Sequence, residues 1–150
     1  MSAHAQPECY PDESRALRPP CPAFLVPCAE SIADWTQGAE HWTALQYWHA
    51  HESWEVVWRR ADATRAPTLR ACIQLAAALY KPSQAGRLRA LNKPECAGLA
   101  DGMRRLLDRA YTGFDPDLDP GLTVWFRCEW QRADEQWRAW NATKSSFTPP

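Results

Sequence analysis

The residues of this chain that could do chemistry gather in one stretch, Tyr47-Trp48-His49-Ala50-His51-Glu52-Ser53-Trp54-Glu55. His51 and Glu55 are four apart, the spacing at which side chains meet on a helix surface. At about 100° per residue, a helix here collects Ala44, Tyr47, Trp48, His51, Trp54, Glu55 and Trp58 on one face. Gln46, His49, Ser53 and Arg60 fall on the other. The pattern therefore aims His51 and Glu55 into the apolar side, with Glu52 at its edge and His49 toward water. A buried carboxylate or imidazole is costly unless it is paired. Gln74, on the next helical stretch, is the nearest uncharged group able to complete a network, and Tyr80 and the indoles of Trp48, Trp54 and Trp58 are further donors.

Three roles suit such a cluster. In the first, His51, Glu55 and Gln74 satisfy one another and fix helix register. In the second, Glu55 or Glu52 is a general base with His51 as its partner, because a half-buried histidine beside a carboxylate can be tuned toward neutral pH. Trp48, Trp54, Trp58, Gln74, Tyr80 and Lys81 would then hold the small molecule acted upon. The third role is metal binding, and it lacks ligands. His51-Glu52-x-x-Glu55 carries glutamate where the pattern His-Glu-x-x-His needs its second histidine. No Glu-x-x-His of the di-iron bundles occurs, and on a helix His49 lies about 200° round from His51. A complete site would need distant residues such as His41 or Glu129, so no metal is expected, and no cofactor can be named. Asp115-Pro116-Asp117-Leu118-Asp119-Pro120-Gly121 echoes a calcium loop, but its glycine comes one place late and Phe126 stands where a bidentate glutamate belongs.

The elements that must position these residues read as helices throughout. A run without proline or glycine from Ala39 to Ala61 predicts one long amphipathic helix. A second opens near Pro67 and runs to Tyr80, apolar almost all round and therefore central. Lys81-Pro82 is expected to break it, leaving a short piece around Gly86 to Leu91. Pro94 then opens a helix with Leu99, Met103, Leu106, Leu107 and Ala110 on one face, stopped by Gly113. The last helix starts at Asp119-Pro120, an N-cap followed by proline, and reaches about Asn141. Its Phe126, Trp130, Ala133, Trp137 and Trp140 recur at four, three, four and three, a seam made to pack on another helix. No strand alternation appears, so the fold class is all-α.

Prolines 7, 11, 19, 20, 22 and 27 make residues 1–28 an extended arm. Its Ala23-Phe24-Leu25-Val26 should lie against the body, with residues 29–143 as the helical domain and 144–150 as a tail; the first ten residues and Ser145 to Pro150 are expected to fray. With 150 residues and nine tryptophans, one core is enough. Six cysteines without a Cys-x-x-Cys pair predict free thiols and a reducing cytoplasm. The longest apolar run of the first thirty residues, Ala23 to Val26, is too short for a signal peptide, and no stretch is long enough to span a bilayer. A net charge of −1 speaks against nucleic acid as main partner. Arg59, Arg60, Arg65 and Arg70 read as a solvated surface or, less simply, as an anion site.

The order Tyr47-Trp48-His49-Ala50-His51-Glu52-Ser53-Trp54-Glu55, then Trp58-Arg59, then Leu69 to Lys81 resembles domain of unknown function 309. That bacterial family carries an aromatic-x-Ala-His-Glu-x-x-Glu-x-x-Trp signature followed by a Gly-Leu-Ile-Gln-Leu-Ala-Ala-Ala helix. The resemblance implies a small bundle of about five helices, with the His-Glu-x-x-Glu helix packed on the Gln-Leu-Ala-Ala helix, and it implies no activity. Leu45 and Gln46 stand where the family turns at a glycine, and Ala71 and Cys72 replace Gly-Leu. Two functions then compete. One is a His/Glu pocket that binds or transforms a small molecule by acid/base chemistry. The other is a non-catalytic structural or interaction protein whose Trp-rich C-terminal helix docks a partner or a second copy.

Overall fold

The computed structural model describes residues 16–91 and 98–145, and every regular element within them is an α-helix. These are α1 (Ala29–Thr43), α2 (Tyr47–Arg59), α3 (Ala66–Ala90), α4 (Leu99–Gly113) and α5 (Pro120–Ser145). Neighbours in sequence are neighbours in space, and α5 also reaches α3. The architecture is a five-helix bundle, with residues 16–28 before α1 forming no regular element.

The uninterrupted run from Ala39 to Ala61 is divided between α1 and α2. The chain turns over Ala44 to Gln46, where Leu45 N donates to Trp42 O at 3.0 Å and Gln46 N to His41 O at 2.9 Å. Leu45 takes a positive φ of 60°, a left-handed conformation that costs a non-glycine residue roughly 1–2 kcal/mol. Periodicity did not reveal the break because Trp42 before it and Tyr47 and Trp54 after it all point into the core.

Pro82 does not end α3, as was expected of it; the helix runs on to Ala90 with the proline inside. A mid-helix proline forfeits one hydrogen bond, but α3 lies between α2 and α4, and Ala85 beyond the proline is buried. Pro94 lies outside the described residues, as do the first ten residues and most of the expected C-terminal tail. α4 ends at Gly113 as read. α5 opens as read, with Asp119 Oδ1 accepting from Leu122 N at 2.7 Å, and continues past Asn141 to Ser145.

The core is built on tryptophan. Trp54 stacks between Trp35 and Trp42, with ring centres 4.8 and 5.5 Å away, and Trp125 of α5 meets Trp42 and Trp54 edge-on. Gly38 makes this possible, since a Cβ there would fall 2.2 Å from Trp54 Nε1. The stripe on α5 does pack on a helix, and that helix is α4 of the same chain: Trp130 donates to Leu107 O and Trp137 to Ala100 O, both at 2.8 Å. Arg104 sits over both indoles and bonds Asp108 and Asp134. Among the described cysteines, Cys21, Cys28 and Cys72 are free. Cys128 is disulfide-bonded, which corrects the expectation of free thiols at that residue. Among the described residues, no helix is long and apolar enough to cross a membrane.

Candidate functional site

Two ring contacts define how α2 lies on α3. Trp48, at the start of α2, tilts against Tyr80 with ring centres 5.2 Å apart. Trp58, near the end of α2, lies under the Arg70 guanidinium at 5.3 Å. The helices are therefore antiparallel, and His51 and Glu55 on one side and Gln74 on the other share the seam between those contacts. Trp48 is 43% exposed and stacks on the His51 ring, 4.7 Å away and 15° from parallel. Arg87 places its guanidinium 5.2 Å from the Tyr80 ring centre. His51, Glu55, Trp58, Gln74, Tyr80 and Lys81 are all half-buried, Glu52 is exposed and Trp54 is sealed in the core.

The buried face of α2 is not the one that periodicity outlined. Tyr47, Ala50, Trp54 and Val57 are buried, a face centred roughly a quarter turn away. α1 draws it round, because Trp54 inserts between Trp35 and Trp42 and donates its indole N–H to Trp35 O at 3.1 Å. His51 and Glu55 are left at the rim. Glu55 keeps 35% of its side-chain surface in solvent and faces Arg59 at 3.8 Å. The expected mutual network does not form: no hydrogen bond joins His51, Glu55 and Gln74, and His51 Nδ1 is buried without any hydrogen-bond partner. His49 points outward and lies against His41, with ring centres 5.3 Å apart.

A buried, fully bonded acid does exist, and it is Glu129 of α5, 1% exposed. It accepts from Trp42 Nε1 at 3.2 Å, from Arg132 Nε at 2.6 Å and from Leu17 N. Arg132 also donates to the Tyr47 hydroxyl at 3.0 Å. Burial raises the Tyr47 hydroxyl above its ordinary value, and Arg132 is raised in spite of burial by Tyr47 and Glu129. The sequence held a signal for Glu129: it sits three residues after Phe126 and four before Ala133, on the inward stripe of α5. Among the described residues, no three His, Cys, Asp or Glu side chains gather closely enough to hold a metal ion. The aspartates of the loop before α5 serve backbone turns, Asp115 Oδ1 accepting from Asp117 N at 3.0 Å.

A cavity of about 180 Å³ opens where the turn before α1 meets the end of α2, lined among others by Leu25, Cys28, Ser31, Val57, Arg60 and Arg65. Cys28 caps α1. The Ser31 hydroxyl and backbone N–H lower its thiol below the ordinary value, with help from Arg60.

Residues 35–93 match the family described as Domain of unknown function (DUF309). The match encloses α2, all of α3 and every residue of the α2–α3 seam named above. No curated protein and no solved structure matches the chain.

Proposed function

We propose that the α2–α3 seam, which lies within the stretch 35–93 that matches DUF309, binds a small molecule and that His51 exchanges a proton with it. The observation that carries this reading is the orphaned His51 Nδ1, buried with no partner. Leaving a buried polar atom unsatisfied costs about 1–3 kcal/mol, and such an atom in a native structure calls for an explanation. A ligand polar group reaching Nδ1 would supply one. Trp48, stacked on the same imidazole and partly exposed, offers a flat apolar surface beside it. Glu55 and Glu52 bring carboxylates to the same rim as acid/base partners, and Gln74, Tyr80 and Lys81 are the polar groups available from α3.

The test is nitrogen-detected NMR of the His51 ring during a screen of small aromatic acids and amides. The reading expects a bound fragment to move Nδ1, and His51→Ala to weaken that fragment at least tenfold while the helical spectrum is kept. Fragments that bind elsewhere and leave Nδ1 unmoved would remove it. The rival reading, docking through the C-terminal helix, is weakened because Trp130 and Trp137 spend their indole N–H groups on α4. A cytoplasmic setting and the absence of nucleic-acid partners belong to the same proposal, the second resting on the net charge of −1.

A further inference from the structure

The corner between α1 and α2 brings together two histidines that lie eight residues apart in sequence. In one unbroken helix across Ala39 to Ala61 they would stand about 12 Å apart along the axis. The turn over Ala44 to Gln46, with Leu45 at φ 60°, folds α2 back beside α1 instead. The His41 and His49 rings then lie with their centres 5.3 Å apart and their planes tilted by 37°.

Spacing, tautomer and charge all suit this pair to a metal ion. Two imidazoles bound to one tetrahedral zinc, each at about 2.0–2.1 Å, hold their ring centres about 5 Å apart. Parallel stacked rings could not aim their in-plane lone pairs at one ion, whereas planes tilted by 37° cross. His41 Nδ1 lies 2.8 Å from Gln46 Oε1, which can only accept, so Nδ1 carries the proton and the lone pair is left on Nε2. Metal-binding histidines are oriented in that way, by giving their other ring N–H to an oxygen. Gln46 is itself held, because its backbone N–H donates to His41 O at 2.9 Å. Among the described residues, no side-chain hydrogen bond or ion pair occupies His49. Glu40 before His41 and Glu52 one turn after His49 are exposed acids, and no Lys or Arg occurs between Arg18 and Arg59. The stretch that carries the pair therefore favours a cation.

We propose that His41 and His49 form a two-ligand site for a divalent cation of the zinc class, with Gln46 as the positioning residue behind His41. Imidazole suits zinc, copper and nickel, whereas magnesium keeps to oxygen. No third His, Cys, Asp or Glu joins the pair among the described residues. The other positions of a tetrahedral ion stay open to water or to a donor from another molecule. An ion held in this way is exchangeable, and it ties α1 to α2 across their corner. The proposal is independent of the His51 reading, since His51 lies about 200° round α2 from His49.

Nitrogen-detected NMR of the histidine rings tests it, with Zn²⁺ and separately Mg²⁺ titrated into the untagged full chain at neutral pH. Zn²⁺ is expected to move both rings with one midpoint, His41 at Nε2, and Mg²⁺ to move neither. His41→Ala and His49→Ala should each weaken the response of the remaining ring at least tenfold. Gln46→Ala removes no ligand and should still weaken both rings together, by roughly tenfold or more. Replacing the exposed thiols of Cys21 and Cys28 with serine should leave the titration as it was. Separate midpoints for the two rings, or a His49 response that survives His41→Ala at full strength, would mark two independent surface histidines and overturn the proposal. No movement of either ring with Zn²⁺, or equal movement with Mg²⁺, overturns it as well. The wild-type titrations decide the matter even where a variant does not fold.

Discussion

Two acids of this chain show why a residue's type does not fix its energetic weight. Glu55 lies on the motif-bearing helix, but it is partly solvated and faces Arg59 at 3.8 Å, an exposed i, i+4 pair of the kind worth little. Glu55→Leu and Glu55→Gln are therefore both expected to change stability by no more than about 0.5 kcal/mol in urea melts. Glu129 carries no motif, but its loss would strand Arg132 and leave Trp42 Nε1 and Leu17 N without an acceptor. Glu129→Leu should cost about 3–5 kcal/mol, with Glu129→Gln in between; a neutral result would show that the network is not buried. The cysteines divide in the same way. Cys28 is exposed and its thiol is lowered by Ser31, the Cys21 thiol is raised by burial, and Cys72 is sealed in the core with its thiol pushed up by burial. Iodoacetamide at neutral pH should label Cys28 first, then Cys21, and leave Cys72 unlabelled until the protein unfolds. Peptide mapping reads the order, and Cys72 labelling alongside Cys28 would contradict the burial.

At the scale of elements, the informative place is the corner between α1 and α2. Leu45 is held at φ 60° and is about half exposed, so it adds strain with only partial burial to offset it. Leu45→Gly is expected to raise stability by about 1 kcal/mol, read as a higher urea midpoint at unchanged slope. A lower midpoint would mean that Leu45 makes contacts that matter. Pro82 teaches the complementary lesson. Its local cost argues for a break, yet α2 and α4 on either side keep α3 continuous. Packing on two sides outweighs one missing hydrogen bond. The aromatic stripe of α5 was legible because helical periodicity shows which residues share a face. It did not show that α4 of the same chain covers that face.

At the scale of the whole molecule, the α4–α5 pair is clasped by Arg104, which bonds Asp108 on its own helix and Asp134 on α5 at 2.5 Å. Burial would raise the Asp134 carboxyl, but Arg138 and Arg104 hold it below the ordinary aspartate value of 3.8. A carboxyl lowered by folding stabilises the native state above its unfolded value, and that contribution is lost as pH falls through the folded one. The difference in melting temperature between wild type and Asp134→Asn should therefore be steady from pH 7 to about 5 and shrink toward pH 3. A difference that stays constant to pH 3 would show that the clasp is not electrostatic. Elsewhere the molecule depends on its arm, because Leu17, Pro20 and Phe24 all accept or donate hydrogen bonds across to the helical body.

Local rules in the sequence set the all-helical class, the N-cap of α5 and the stop at Gly113. They are side-chain period, proline's fixed φ, and a carboxylate beside unpaired N–H groups. The sequence also placed His51, Glu55 and Gln74 on helices that prove to be neighbours. Tertiary structure alone decided which way α2 is turned, and so whether its polar residues are buried or at the rim. A helix period defines faces only relative to one another. Trp54 inserting between Trp35 and Trp42 turned α2 by a quarter turn, left His51 Nδ1 unpartnered at the seam, and gave the buried acid's place to Glu129.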